Sequence, residues 1–192
     1  MILSNIEIHK AMDSGKLIIS PEPEPRFKDV GVECPFSTHA VDLKLHEEIQ
    51  VPRGGPFCID LTQEGSVIDL ITLHSQTLIL TEKQPYRLEP HDFVLARTLE
   101  KVALPKKEQP YLGARIEGKS SRARLGLIVH CTAPTVHPDF EGTLTLEIAN
   151  LGPATILLVP GMYIAQLIVE EVNGEIVENR SSFQGQTHPS GK

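Results

Sequence analysis

The chain has 192 residues and a mass of 21.2 kDa, and its 40% hydrophobic and 22% charged residues are typical of one soluble globular domain. The net charge of −7 excludes a protein that coats nucleic acid, and no apolar run approaches the roughly 18 residues of a membrane span. Cys34, Cys58 and Cys131 are odd in number and scattered, which predicts a reducing cytoplasm and excludes a disulfide scaffold and a four-ligand zinc site.

The chain begins with a predicted helix. Ser4 and Glu7 have capping-box spacing, and Ile8 and Ala11 recur at the helical period. Gly15 is predicted to end the helix in a left-handed conformation. No basic segment followed by an apolar core occurs at this end, so no secretory signal is predicted.

After this helix the hydrophobic pattern changes to that of short strands. Most of the runs are bounded by Pro, Gly, Asn or Asp and follow one another at short intervals. This pattern predicts an all-β barrel, sandwich or jelly roll with one short N-terminal helix, rather than alternating βαβ units. The predicted strands are residues 17–19, 40–45, 67–73, 77–80, 93–97, 127–131, 143–148, 155–159 and 164–169.

The strands are predicted to form a single domain over residues 1–192. Residues 20–36 carry four prolines and are predicted to be a surface loop, and residues 105–110 a connector. From residue 174 the chain becomes polar. We expect residues 174–192 to be a mobile tail unless a ligand or a neighbouring subunit orders it.

The first candidate site is the segment Gly-Lys-Ser-Ser-Arg-Ala-Arg-Leu-Gly at residues 118–126. Ser120 or Ser121 could cap a short helical turn, whose free N–H groups suit an anionic oxygen. Arg124 adds a fork that can hold phosphate in a bidentate manner. The alternative is a solvated basic turn. The apolar residues that follow favour a cluster anchored at the edge of a core.

The second candidate site lies on the predicted strand 143–148. Its period of two puts Leu144 and Leu146 on one face, and Thr145 and Glu147 on the other. If the second face meets solvent, Glu147 is an ordinary surface carboxylate. If it lines a cavity, Glu147 is partly desolvated and suited to proton transfer. The pattern leaves both interpretations open.

The remaining signals are weaker. Gln166 lies within an apolar strand, where its amide is satisfied in the core or turned toward a ligand. The run 46–48 matches the H-x-E half of a zinc-deaminase signature, but no P-C-x-x-C follows, so no zinc site is predicted. No G-x-S-x-G, P-loop or G-x-G-x-x-G motif occurs, which removes the commonest hydrolase, NTPase and dinucleotide signals.

Several segments, taken together, match one pattern. They are M-I-L-S at 1–4, V-D-L-K-L at 41–45, K-S-S-R-A-R-L-G at 119–126, the run from His130 to Glu147, P-G-M-Y-I-A-Q-L at 160–167 and F-Q-G-Q at 183–186. In order and spacing they resemble the dCTP deaminase family, relatives of trimeric dUTPase. The family's segments read S-[IV]-D-L-R-L, R-S-S-L-A-R-L-G, H-x-T-A-x-x-I-D-P-G, P-G-M-x-I-[AG]-Q-L and Y-Q-G-Q.

The resemblance implies a distorted β-barrel or jelly roll of the dUTPase-like β-clip type, forming a homotrimer with nucleotide sites at the subunit interfaces. It implies zinc-independent deamination of dCTP to dUTP and ammonia, in the cytoplasm, as a step toward dUTP and dTTP precursors. The nucleotide would bind as its magnesium complex. No nucleic-acid polymer and no membrane is an expected partner.

The resemblance also assigns residue roles. Glu147 would be the proton shuttle, and Ser120 and Arg124 would position the water, the carboxylate and the phosphates. Thr145 and Leu146 would meet the sugar and the base. The triphosphate contacts would be Lys119, Ser120, Ser121, Arg122, Ala123 and Arg124, and further ligand contacts would come from Gln166 and Gln186.

Two positions depart from the family pattern, and both affect the sugar subsite. His137 stands where the family has an aspartate that contacts the deoxyribose, and no tyrosine occurs between Glu170 and Phe183. One alternative is a dUTP pyrophosphatase or a bifunctional deaminase–pyrophosphatase, in which a carboxylate activates water for attack on phosphorus. The pyrophosphatase relatives have an aspartate where His137 stands, which counts against this alternative, although Asp139 lies two residues away. Another is a non-catalytic, nucleotide-sensing trimer, against which the retained Glu147 counts.

Overall fold

The computed structural model describes residues 1–55, 58, 60, 67–177 and 183–191. In these residues the helices are α1 (Asn5–Asp13), α2 (Val67–Leu73) and α3 (Ser120–Ala123). The strands are β1 (Ile18–Ser20), β2 (Val41–Pro52), β3 (Ser75–Ile79), β4 (Tyr86–Leu88), β5 (Phe93–Ala103), β6 (Tyr111–Gly118), β7 (Leu127–Ile128), β8 (Thr135–Val136), β9 (Glu141–Asn150), β10 (Ile156–Leu158) and β11 (Tyr163–Val172).

Antiparallel pairing joins these strands into one large curled sheet and one small one. The large sheet runs in the order β7-β9-β5-β2-β11-β6-β8, with β1 added to β5 and β3 added to β2. β10 and β4 form the small sheet. The sheet curls into half of a barrel, so the predicted all-β distorted barrel is confirmed.

The core lies against one face of the large sheet. Alternate residues of the central strands are completely buried, such as Leu43 on β2, Leu146 on β9 and Leu167 on β11. Their neighbours along each strand point to the other face, where they are half-exposed. The two-residue period that places Thr145 and Glu147 opposite the core is therefore confirmed.

Helix α1 forms as its local signals predict. The Ser4 side chain accepts the N–H of Glu7 at 3.4 Å, and Gly15 closes the helix with φ of +67°. The Glu7 carboxylate pairs with Lys10 at 2.8 Å rather than reaching back to Ser4. Half of the capping box is therefore present.

The predicted strand at 67–73 is wrong, because this segment forms α2. It lies in the connection between β2 and β3, whose ends are already paired at Pro52 and Ser75. Its backbone is satisfied locally by helical hydrogen bonds, although its β-branched residues favour a strand. No helix in the described part of the chain is long and apolar enough to cross a membrane.

The strands β4, β6 and β8 were not among the predicted ones. β6 matters most, because it leads directly into α3. Its buried residues Leu112, Ala114 and Ile116 alternate with half-exposed ones, so a period-two signal was present in the sequence. Conversely, the predicted strand 127–131 pairs only as far as Ile128 in β7.

Candidate functional site

A cavity of about 790 Å³ lies on the face of β9 that points away from the core. Glu147 and Thr145 of β9, His137 and Gln186 all line it. Its apolar lining includes Leu95 on β5, which pairs directly with Glu147 across the two strands. Of the two interpretations of Glu147 that the sequence left open, the structure therefore favours the cavity wall.

The carboxylate of Glu147 is held by the backbone of the loop that precedes β8. The Cys131 N–H donates to Glu147 Oε2 at 2.7 Å, and the Glu147 N–H donates to the Val129 carbonyl at 3.0 Å. Desolvation and the neighbouring carboxylate raise the pKa of the Cys131 thiol, so it stays protonated near neutral pH. These contacts orient Oε2 and leave Oε1 of Glu147 able to accept a second donor.

Thr145 and Leu146, which were predicted to contact the base and the sugar, differ in whether their side chains can reach a ligand. Thr145 is half-buried on the cavity face, whereas the Leu146 side chain is completely buried in the core. Any contact of Leu146 with a ligand would therefore use its backbone. The exposed His137 lies at the cavity wall, two residues before Asp139, whose φ is +69°.

The described part of the tail, residues 183–191, packs on the same cavity. Gln186 is 7% exposed, and its Nε2 donates to the Thr143 carbonyl at 2.7 Å. Its own carbonyl accepts the Thr143 N–H at 2.9 Å, so both groups of Gln186 are bound to β9. Gly185 extends this pairing by donating to Glu141 at 2.7 Å. The predicted mobility of the tail stays a prediction.

The predicted basic segment, residues 118–126, lies outside the described lining of the Glu147 cavity. Ser120, Ser121 and Arg124 are exposed, and none of residues 119–124 lines the described part of the cavity that holds Glu147. The predicted helical turn is present as α3. Ser120 does not cap it, because the N-cap position is Lys119, which makes no side-chain capping bond.

Two glycines fix α3 against the turn after β9. Gly126 has φ of +93°, and a Cβ there would overlap the backbone nitrogen of Gly152. The Leu151 N–H donates to the Gly126 carbonyl at 2.8 Å. A side chain at either glycine would separate the two backbones, so glycine is required for this close approach.

Lys119 and Gln166, both predicted ligand contacts, meet at a third residue. The Lys119 ammonium donates to Asp42 Oδ2, and Gln166 Nε2 donates to Asp42 Oδ1 at 2.9 Å. Asp42 lies on β2 directly opposite Gln166 on β11. The sequence motif 41–45 contains Asp42, but its pairing with residues 77 and 124 positions away has no local signal.

A polar network that was not predicted borders the cavity. Arg97, which pairs with Thr145 across the strands, contacts His46 at 2.8 Å and Glu48 at 3.5 Å. Glu48 also lies 3.0 Å from His188 of the tail. Burial and the Arg97 guanidinium lower the pKa of His46. The residues that the sequence associated with half a zinc signature thus hold an arginine and the tail.

The arrangement offers acid–base chemistry at the cavity and anion binding at α3. No group of three or more His, Cys, Asp and Glu side chains is close enough to share a metal ion in the described residues. The described cavity lining contains one cationic side chain other than histidine, Lys106, beside the carboxylates Asp139 and Glu147. The described lining of the cavity therefore supplies few positive charges for an anionic ligand.

Comparison with known proteins shows the family of this chain. A family model described as dCTP deaminase-like matches residues 2–172. A protein from Natronomonas pharaonis named dCTP deaminase is 37% identical over 195 residues, covering 98% of this chain and 92% of the relative. A protein from Methanosphaera stadtmanae named dCTP deaminase, dUMP-forming, is 34% identical over 200 residues, covering 98% and 91%.

One solved structure supports the fold. The 2'-deoxycytidine 5'-triphosphate deaminase from Agrobacterium tumefaciens superposes with a TM-score of 0.62 at 22% identity over 89% of this chain. The match covers 48% of that protein, so this chain spans about half its length. At this identity the likeness shows the fold alone.

Proposed function

Because the chain belongs to the dCTP deaminase-like family, we propose that it hydrolyses dCTP to dUTP and ammonia. The observation that carries the proposal is the position of Glu147, a carboxylate held by backbone in the wall of a nucleotide-sized cavity. Hydrolytic deamination needs such a group, because a water must lose a proton as it attacks C4 of cytosine.

Glu147 can serve both proton transfers of this reaction. Its Oε1 accepts one proton from the attacking water and gives it to N3 of the ring, where that proton stays in the product. Glu147 then takes the second proton from the hydroxyl formed at C4 and gives it to the amino group, so that the C4–N bond breaks and ammonia leaves. The Cys131 N–H holds Oε2 and fixes the carboxylate during both steps. Since such catalysis typically contributes about 10²–10⁴-fold, positioning and exclusion of water supply the remainder.

We propose that the site is completed by another copy of the chain in a homotrimer. The exposed Ser120 and Arg124 do not line the described cavity of their own chain, although the ligand needs cations beside Glu147. Leu125 and Leu151, next to these residues, are each 65% exposed, as expected for side chains that a neighbouring subunit covers. In the trimer, Ser120 and Arg124 would position the water and the phosphates.

The triphosphate is proposed to enter as its magnesium complex, with the ion belonging to the substrate. Lys119, the backbone of α3 and Arg124 would bind the phosphate oxygens that magnesium leaves free. Phenanthroline should leave ammonia release unchanged, and added magnesium should reverse inhibition by EDTA. A requirement for zinc in the rescue would contradict this part of the proposal. We also propose a cytoplasmic location, which the three unpaired cysteines support.

A second candidate function is additional release of pyrophosphate, giving dUMP. Asp139 favours it, because this exposed carboxylate lines the same cavity as Glu147 and could activate a water near phosphorus. Some relatives are named dCTP deaminase and others dCTP deaminase, dUMP-forming.

One assay separates these functions. The protein is incubated with magnesium and either dCTP or dUTP, and ammonia, cytosine absorbance and pyrophosphate are followed together. We expect one ammonia for each dCTP and no pyrophosphate. Pyrophosphate in step with ammonia would assign the bifunctional reaction. Nucleotide binding without either product would leave only a nucleotide sensor.

We further propose that the tail acts as a lid on this site. Six of the residues 183–191 line the Glu147 cavity, and His188 contacts Glu48 on β2. Closure would exclude water and strengthen the contacts of Glu147. Deleting the chain from Phe183 onward should lower dCTP turnover at least tenfold while circular dichroism and oligomer size stay unchanged. Normal turnover by the truncated protein would show that the tail is no lid.

A further inference from the structure

Three strands bring a row of polar side chains together beside α3. Asp42 on β2 lies opposite Gln166 on β11, which in turn lies opposite Glu117 on β6. Lys119, two residues after Glu117, joins this row through its contact with Asp42. Asp42 is the most buried of the four, at 7% exposure, and it accepts from both Lys119 and Gln166.

Asp42 contacts Lys119, which the proposed function assigns to the phosphates, and Gln166, which the family resemblance assigns to the ligand. Gln166 Nε2 points toward Asp42 at 2.9 Å, so its Oε1 is directed to a different partner. The Lys119 side chain is 16% exposed and its ammonium lies 5.3 Å from the centre of the Tyr163 ring. An ammonium carries three donors, so Lys119 can bind Asp42 and a phosphate oxygen at once.

The burial of this ion pair makes Asp42 more than a surface counter-ion. Two exposed charges gain little from pairing because water screens them and their side chains lose freedom. A pair this little exposed is screened less, and removing one partner leaves the other charge uncompensated. Lys119 is therefore held in one place before any ligand arrives, which lowers the entropy cost of binding.

We propose, on the basis of the deaminase function above, that Asp42 is a positioning residue for the nucleotide's triphosphate. It holds the Lys119 ammonium and sets the orientation of the Gln166 amide, so that both face the ligand in their binding geometry. Asp42 itself touches neither the cytosine nor the water. Its effect therefore falls on substrate binding and leaves the chemical step unchanged.

The test is the steady-state kinetics of Asp42→Asn with magnesium–dCTP. The asparagine keeps the size of the side chain but removes the charge that holds Lys119. We expect KM to rise at least tenfold while kcat stays within threefold, because the lost contacts act equally on bound substrate and transition state. Unchanged KM with a lowered melting temperature would overturn the proposal and leave Asp42 a structural residue.

The matched control is Glu170→Gln on β11. Glu170 also carries an ion pair between neighbouring strands, with 2.5 Å between its Oε1 and Arg115 Nε, but it contacts neither Lys119 nor Gln166. Its KM should stay within twofold of the wild-type value. A rise equal to that of Asp42→Asn would mean that any broken strand pair weakens binding, and would overturn the proposal.

A double-mutant cycle tests whether Asp42 acts through Lys119. Lys119→Met alone should raise KM, and adding Asp42→Asn to it should raise KM by at least threefold less than in the wild-type background. Fully multiplicative effects would contradict the proposed coupling. If Asp42→Asn does not fold, Asp42→Glu keeps the charge and moves the carboxylate by one methylene. KM should then rise at least threefold, and an unchanged value would overturn the proposal.

Binding of magnesium tripolyphosphate, measured by calorimetry, separates this proposal from the deaminase assignment. If the wild-type protein releases no ammonia from dCTP but Asp42→Asn weakens tripolyphosphate binding at least tenfold, the deaminase function fails and the positioning role stands. If dCTP is deaminated and Asp42→Asn changes neither KM nor tripolyphosphate affinity, the positioning role fails alone.

Discussion

The proposed chemistry depends on two regions that differ in exposure. Proton transfer is assigned to the wall of the cavity, and phosphate binding is assigned to the segment around α3. Glu147 is held by its own chain, through the Cys131 N–H, and lines a cavity that residues of the tail also line. Ser120 and Arg124 project from a four-residue helix and are exposed. The group that needs an exact orientation in the proposed reaction is thus held within one chain. The groups proposed to bind the phosphates are instead exposed, where a ligand or another copy of the chain can reach them.

The largest expected effect is at the cavity wall. Glu147→Gln should lower kcat by at least about 10²-fold, because an amide cannot accept the proton of the attacking water. Binding should persist, since the amide oxygen can still accept the Cys131 N–H. Turnover of dCTP and equilibrium binding are measured separately, with the exposed Glu141→Gln on the same strand as control. A smaller loss would remove Glu147 as the shuttle.

The next effect concerns the support of α3. Gly126→Ala should lower the free energy of unfolding by about 3 kcal/mol, because it adds backbone overlap with Gly152 to the strain of a left-handed φ. Gly161→Ala is the control, since its φ is +79° but no atom lies within 4 Å of its Cβ. It should cost about 1 kcal/mol. Equal losses in urea unfolding would show that the Gly126–Gly152 contact is unimportant.

Arg124→Ala tests whether the exposed segment binds the ligand at all. If Arg124 makes a desolvated, charge-assisted contact across a trimer interface, the variant should bind dCTP about 2 kcal/mol more weakly, roughly thirtyfold in Kd. Arg87→Ala removes a similarly exposed arginine and should leave Kd unchanged. A loss well under about 1 kcal/mol at Arg124 would return the segment to a solvated basic turn.

The smallest expected effect is on the pH dependence of folding stability, and it arises at α1, outside both regions. His9 on α1 is 5% exposed, both its ring nitrogens lack partners in the described residues, and it packs against Phe27 and Phe36. Burial and the Arg26 charge lower the pKa of His9 below 6.5. The unfolded chain therefore binds a proton first as pH falls, and stability is lost below about pH 6.5.

His9→Phe should remove this pH dependence. Between pH 8 and pH 5 the wild-type protein should lose about 1 kcal/mol more of its unfolding free energy than the variant does. His39→Gln replaces an exposed histidine and should titrate like the wild type. Parallel pH profiles of wild-type protein and His9→Phe would rule out this origin. A fall in dCTP turnover at low pH that persists in His9→Phe would then belong to the cavity.

Local signals in the sequence were sufficient for much of the scaffold. The cap at Ser4, the left-handed Gly15 and the alternation along β9 each depend on neighbouring residues, so they could be predicted without the fold. The helix at 67–73 could not. Its β-branched run favours a strand, and only the tertiary structure shows that it forms a helix in the connection between β2 and β3.

For the site, the sequence by itself determined which residues are chemically able to transfer a proton or bind an anion, because residue type sets what a side chain can do. Only the tertiary structure decided where they meet. It separates α3 from the Glu147 cavity within one chain, and it places Asp42 between Lys119 and Gln166. The physical reason is that strand pairing brings Gln166 opposite Asp42 over 124 positions, and a side-chain ion pair adds Lys119 from 77 positions away. Such long-range contacts leave no periodic trace in the sequence.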